Sequence, residues 1–167
     1  TEFIIDCQKV EPNMIQLNEK GLSLIYAQGL QKSMDSICNM KTTNAMLYCI
    51  AARQATAKKV DNAIVHNTNG NPIETTLANL YCIKGDTIYT PPLSEGPVAG
   101  VMRRYMLEQL PKKGFTVKEE PFTPDFLKSA DAVFITNAIR RFKWVARIED
   151  KEYSFNKILD IYESISY

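Results

Sequence analysis

Three features of this chain could do chemistry together: a lysine at position 41, a glutamate at position 74, and a Pro/Gly-rich loop at 91–100 that runs into a helix. The stretch 73–104, IETTLANLYCIKGDTIYTPPLSEGPVAGVMRR, reads as strand, turn, strand, loop and helix start. The first N–H groups of such a helix, here those of Gly100, Val101 and Met102, have no intrahelical acceptor and form a natural anion site. Lys41 lies upstream, at the mouth of another helical stretch. A lysine nucleophile, a carboxylate and a phosphate-sized helix terminus are together what a pyridoxal 5'-phosphate site requires.

Each residue also has an ordinary use. Taken alone, Lys41 is a surface lysine and Glu74 a solvated glutamate beside a turn, although Ile73 before it and Leu77-Ala78 after it suggest an inward face. Gly100 suits a plain helix start as well as it suits a phosphate cradle. Asn137 is equally a turn residue at a strand end. His66, in an apolar strand next to a turn, is read as structural, the methionines as core fillers, and Tyr26, Tyr81 and Tyr89 as strand aromatics.

The elements that must position these residues follow from pattern. Residues 3–10 and 21–27 are rich in β-branched and aromatic residues and predict strands, with 29–40 as a polar loop. Residues 43–60 predict a helix on the spacing of Met46, Cys49, Ile50 and Arg53. Strands are predicted at 62–67, 73–76, 79–83 and 87–90, the last three as an antiparallel meander. A helix at 100–110 places Met102, Met106 and Leu110 on one face and is closed by Pro111 and Gly114. Further strands at 116–120, 132–136 and 144–148, a short helix after Thr123-Pro124, and a terminal helix at 156–164 complete an α+β, mostly antiparallel design with flanking helices.

Composition narrows the class. The 167 residues suit one domain, and 45% hydrophobic with 23% charged residues is ordinary globular usage. Twenty basic against nineteen acidic residues give a net charge of +1 without a basic run, which argues against nucleic acid as a partner. Cys7, Cys38, Cys49 and Cys82 lack CxxC spacing and there is one histidine, so no metal set is expected and reduced thiols in the cytoplasm fit. No apolar run reaches the roughly 20 residues of a membrane span. The chain opens without an initiator methionine, in apolar residues, and reads as lacking a preceding segment.

The motifs at 40–44 (MKTTN), 73–81 (IETTLANLY), 89–94 (YTPPLS), 99–104 (AGVMRR) and 134–138 (FITNA) resemble, in order and spacing, the fold-type IV pyridoxal phosphate enzymes, the class-IV aminotransferase family. The resemblance implies that 1–167 is the larger C-terminal domain, a pseudo-barrel like that of the D-amino acid aminotransferases, with a smaller N-terminal domain missing. It implies that Lys41 carries the cofactor, Glu74 meets its pyridine nitrogen and Val98 packs on the ring. Gly100, Val101, Met102, Asn137 and Ala138 would line the phosphate. Met102, where many members have threonine, and the Asn137-Ala138 pair resemble the family's 4-amino-4-deoxychorismate lyases, which release pyruvate and leave 4-aminobenzoate for folate synthesis. A branched-chain or D-amino acid aminotransferase is the alternative, and a non-catalytic remnant the second. Arg140-Arg141, Ala45, Leu47 and Tyr48 depart from commoner residues and bear on substrate identity. A homodimer acting on a small amino substrate is implied by resemblance.

Overall fold

A computed structural model describes residues 4–18 and 20–165. Helix α1 (Pro12–Ile15) precedes strand β1 (Leu22–Lys32), helix α2 (Met46–Ala57) and strand β2 (Asn62–Asn67). Strands β3 (Pro72–Thr75), β4 (Asn79–Lys84) and β5 (Thr87–Thr90) follow, then helix α3 (Val101–Lys112), strand β6 (Thr116–Glu119) and helix α4 (Pro124–Lys128). Strands β7 (Ala132–Asn137), β8 (Arg141–Ile148) and β9 (Lys151–Glu152) and helix α5 (Asn156–Ser164) complete the order.

The strands pair in the order β3-β2-β1-β8-β7-β4, and a β3–β4 contact at Glu74 and Asn79 closes these six into a barrel. Strands β5 and β6 extend the sheet beyond β4. Pairing is antiparallel except at β1–β2, β1–β8 and β5–β6, so β1 runs parallel to both of its neighbours.

Side chains alternate across a strand, and here both faces are covered. Leu80, Cys82, Val133, Ile135 and Val145 belong to the interior cluster, which Phe122, Leu127 and Tyr153 share. Their strand neighbours Tyr81, Ile83, Phe134, Phe142 and Trp144 pack instead with Met102, Met106 and Leu110 of α3 and Ile158 and Ile161 of α5. Phe134 lies between Tyr81 and Phe142, each ring centroid 4.6 Å away. Burial on both faces is why β2, β4 and β7 read as continuous apolar runs.

Several expectations are corrected. Of the strand expected at 3–10, Phe3 lies outside the described residues, and 4–10 form no strand; Ile4 and Ile5 are exposed. Strand β1 runs on through residues expected as loop, because a register shift between Tyr26 and Gln31 lets Gln31 and Lys32 pair with His66 and Asn67. Gly29, at φ +67, sits in that irregular stretch, a conformation that glycine adopts without steric cost. Pro111 lies inside α3 rather than after it, within the last turn.

Helix α2 forms where expected but turns a different face inward. Its buried residues are Ala51 and Ala55, against Ala27, Ala63 and Val65, while Met46 is 68% exposed and Ile50 is also exposed. Alanines let the helix approach the sheet more closely than methionine would. Met40 is exposed too, so the methionines split between core and surface.

That close approach generates a prediction. Ala51→Leu adds volume at a site with no exposed surface, and should cost about 1–3 kcal/mol, read as a lower urea midpoint with an unchanged slope.

Candidate active site

Glu74 is the most constrained charged residue near the predicted motifs. It sits on β3, only 3% exposed, paired across the sheet with Asn79 of β4 and Val65 of β2. Its Oε1 accepts from Lys32 Nζ at 2.6 Å and from the Tyr48 hydroxyl at 2.7 Å. Its Oε2 accepts the backbone N–H of Val98 at 2.9 Å. Tyr48 comes from α2 and Lys32 from the extended end of β1. Burial, then the adjacent Glu74 charge and hydrogen bond, push the Tyr48 phenol far above its usual pKa, so it serves as a donor.

The loop that carries Val98 is held from two sides. Asn79 Nδ2 donates to the Val98 carbonyl at 2.8 Å, and Asn39 Nδ2 donates to the carbonyls of Pro97 and Leu93. Ala99 N–H donates back to the Asn39 carbonyl at 2.9 Å. Thus the segment two residues before Lys41 is pinned against the loop that touches Glu74. Lys41 itself is exposed, four loop residues ahead of α2.

The loop ends at Gly100, the N-cap of α3, in extended conformation with no side-chain cap. A Cβ here would overlap Asn79 Oδ1, so glycine is what allows the helix start to lie against β4. The Met102 side chain is buried in the core with Met106, leaving its backbone at the helix start; Val101 is exposed. On β7, Thr136 is 1% exposed with its Oγ1 unpartnered, and it pairs with Asn79. An orphaned buried hydroxyl beside the glycine-started helix is consistent with a ligand having acceptor oxygens.

The Asn137 side chain is held within its own turn. Its side chain donates to the Leu77 carbonyl at 3.1 Å and accepts from the N–H groups of Ile139 and Arg140, which shapes the β7–β8 turn. Ala138 is exposed in that turn. A cavity of about 170 Å³ opens beside it, its lining including Leu77, Ile135, Asp61, Arg140, Arg141 and Lys143.

The structure therefore gathers Glu74, Val98, Gly100 and the Lys41 segment, and places Asn137 and Ala138 on the neighbouring turn. Lys32, Asn39 and Asn79 join them without a sequence pattern that assigns them a role. Lys32 escaped because it lies 42 residues from Glu74 in a polar stretch, beyond the break in strand register. Tyr48 stands out in the sequence only as a departure in type.

The model of the family described as amino-transferase class IV matches residues 3–148. The chain belongs to that family. Class IV members use pyridoxal phosphate, and an aminotransferase of this fold from Brucella abortus has been solved bound to it; this chain is 20% identical to that protein, with TM-score 0.75, covering 88% of this chain and 52% of that one. An aminodeoxychorismate lyase of Vibrio harveyi is 31% identical over 121 residues, 72% of this chain and 45% of the relative. A presumed 4-amino-4-deoxychorismate lyase of Legionella pneumophila superposes with TM-score 0.80 at 28% identity, covering 87% of this chain and 55% of the other. The class IV chain thus spans about half the length of the relatives it matches.

The residues present fit the family's cofactor. Glu74 retains an acceptor direction on Oε2 for a ring N–H, and the glycine-started helix with Thr136 beside it suits a phosphate. Tyr26, Tyr81 and Tyr89 contribute to the cores, as expected of strand aromatics.

Two predictions arise. Gly100→Ala should break the Asn79–Val98 bond and cost about 1–2 kcal/mol; adding Asn79→Ala, which removes the overlapping oxygen, should give a double variant less destabilised than the sum of the singles, measured by urea unfolding. His66, half-buried with its ring 5.1 Å from that of Tyr26, has its pKa lowered by burial, partly opposed by Glu149. The unfolded chain then binds this proton more readily than the folded one. Stability should be unaffected by this group above about pH 6.5 and fall as pH drops below it; unfolding curves at pH 7 and pH 5 should differ less in His66→Gln.

Proposed function

We propose that this chain is the larger, C-terminal domain of a pyridoxal phosphate-dependent 4-amino-4-deoxychorismate lyase. The observation that carries the reading is the buried Glu74 carboxylate fixed by the backbone of the same loop that starts α3. A ring nitrogen at the carboxylate and a phosphate at the helix start are thereby served by one rigid segment.

In this reading Lys41 holds the cofactor covalently, Glu74 receives the ring N–H, and Val98 packs on the ring. The start of α3 at Gly100, Val101 and Met102, with the Asn137-Ala138 turn, receives the phosphate. When bound, the cofactor supplies an electron sink for the carbon that loses a proton. Once the substrate's amine has replaced Lys41 on the cofactor, the freed Lys41 amine would move that proton: it is taken from the ring carbon, the C–O bond to the enolpyruvyl group breaks, and the leaving enol gains a proton to become pyruvate. The aromatic amine left behind is 4-aminobenzoate. Three cations, Arg140, Arg141 and Lys143, against the single carboxylate of Asp61 leave the cavity lining net positive, which suits a substrate with two carboxylates.

The lyase relatives support elimination, and D-alanine aminotransferases of the same 31% identity make transfer of an amino group between branched-chain or D-amino acids and keto acids the alternative. A cytoplasmic homodimer is the proposed working form, supported by the apolar side chains of Met40, Met46 and Val101, each more than half exposed near the site.

The test combines trapping with product analysis. The purified protein, given pyridoxal phosphate and reduced with borohydride, should carry the adduct on Lys41 by peptide mapping. The full-length enzyme should turn aminodeoxychorismate into pyruvate and 4-aminobenzoate with no keto acid acceptor, and Lys41→Ala should lower the rate by roughly 10²–10⁴-fold. An adduct on another lysine would remove the Lys41 assignment, and conversion of a simple amino acid to its keto acid without pyruvate from the chorismate derivative would favour the aminotransferase.

A further inference from the structure

The cation already on Glu74 bears on how a cofactor reaches it. Lys32 Nζ lies 2.6 Å from Glu74 Oε1 with the lysine side chain 12% exposed, and it also lies 5.5 Å from the centre of the Tyr48 ring. A carboxylate this deeply buried is costly without a counter-charge, and Lys32 supplies one within the chain. A protonated ring nitrogen binding the same carboxylate would bring a second cation against the first at close range in a poorly hydrated site. One carboxylate balances only one of them.

Lys32 can yield. Its ammonium is a point charge on a flexible four-carbon stem, it ends β1, and it is not fully sealed from water. Tyr48 and the Val98 N–H stay behind to hold the carboxylate in its orientation.

We propose that Lys32 competes with the cofactor's ring nitrogen for Glu74, so that it sets cofactor affinity and swings to solvent when the cofactor binds. The proposal rests on Glu74 being the ring partner. It makes Lys32 a positioning residue with two opposed effects: it stabilises the cofactor-free fold and weakens cofactor binding. If Lys32 holds Glu74 in about nine of ten cofactor-free molecules, apparent affinity is lowered roughly tenfold.

The decisive measurement is amine acetylation of the wild-type protein, with the extent at Lys32 read by peptide mass spectrometry. Lys32 should be slow to react alone, fast with saturating pyridoxal phosphate, and slow with inorganic phosphate, which reaches the helix start and leaves Glu74 alone. Lys32→Met should melt at lower temperature without cofactor yet bind pyridoxal phosphate several-fold more tightly, followed by the visible absorbance band. Lys32→Arg, whose guanidinium can grip both carboxylate oxygens, should bind it more weakly than wild type. Cofactor binding with Lys32 still protected, or a Lys32→Met protein with unchanged or weaker affinity, overturns the proposal. Should no visible band or borohydride-fixed adduct form at all, the assignment of Glu74 to the ring falls, and the competition with it; acetylation of the wild type keeps the question answerable if Lys32→Met does not fold.

Discussion

Everything around the candidate site depends on keeping one carboxylate dry. Glu74 sits where β3 meets β4 to close the barrel, so it cannot retreat to solvent without opening the sheet. Three donors from three parts of the chain converge on it: the end of β1, the first turn of α2 and the loop before α3. An unpaired buried charge costs far more than an exposed one, so these donors are obligatory companions, and their positions dictate where the loop and the helix start can lie. The Asn79 side chain then passes the constraint on from β4 to the same loop.

The strands with both faces buried were the most legible. Residues 62–67 form a strand at the predicted limits, and β4 and β7 run one residue beyond theirs, since these apolar runs are bounded by clear turn residues. Helix α5 was equally clear, because its apolar face is set off from a charged one. The far half of β1 was not, because Gln28, Gln31 and Lys32 are polar and pair only after the strand changes register. The inward face of α2 was misjudged for a different reason. Alanine carries almost no hydropathy signal, yet a helix lying close to a sheet selects it, and the larger Met46 and Ile50 drew attention to the outer side.

The site divides in the same way. Glu74 and Gly100 stand out in the sequence through motifs that the structure places on one loop and one strand pair, Glu74 accepting the Val98 N–H and Gly100 lying against Asn79. The partner Lys32 depends on a contact between residues 42 apart, which no local pattern encodes. Asn137 shows the converse: its neighbours marked it out, and its side chain is occupied with its own turn and the Leu77 carbonyl.

The parallel placement of β1 between β2 and β8 has a kinetic side. Leu22 is aligned with Val145 and Leu24 with Ile148, so the first barrel strand cannot complete its pairing until most of the chain has been made. Contacts of such long sequence separation carry a large loop-closure entropy and form late. During synthesis one edge of β1 therefore waits, unsatisfied, for residues more than a hundred positions downstream. A nascent chain stalled before β8 would expose that edge and the apolar barrel interior together, the combination that recruits chaperones or drives aggregation.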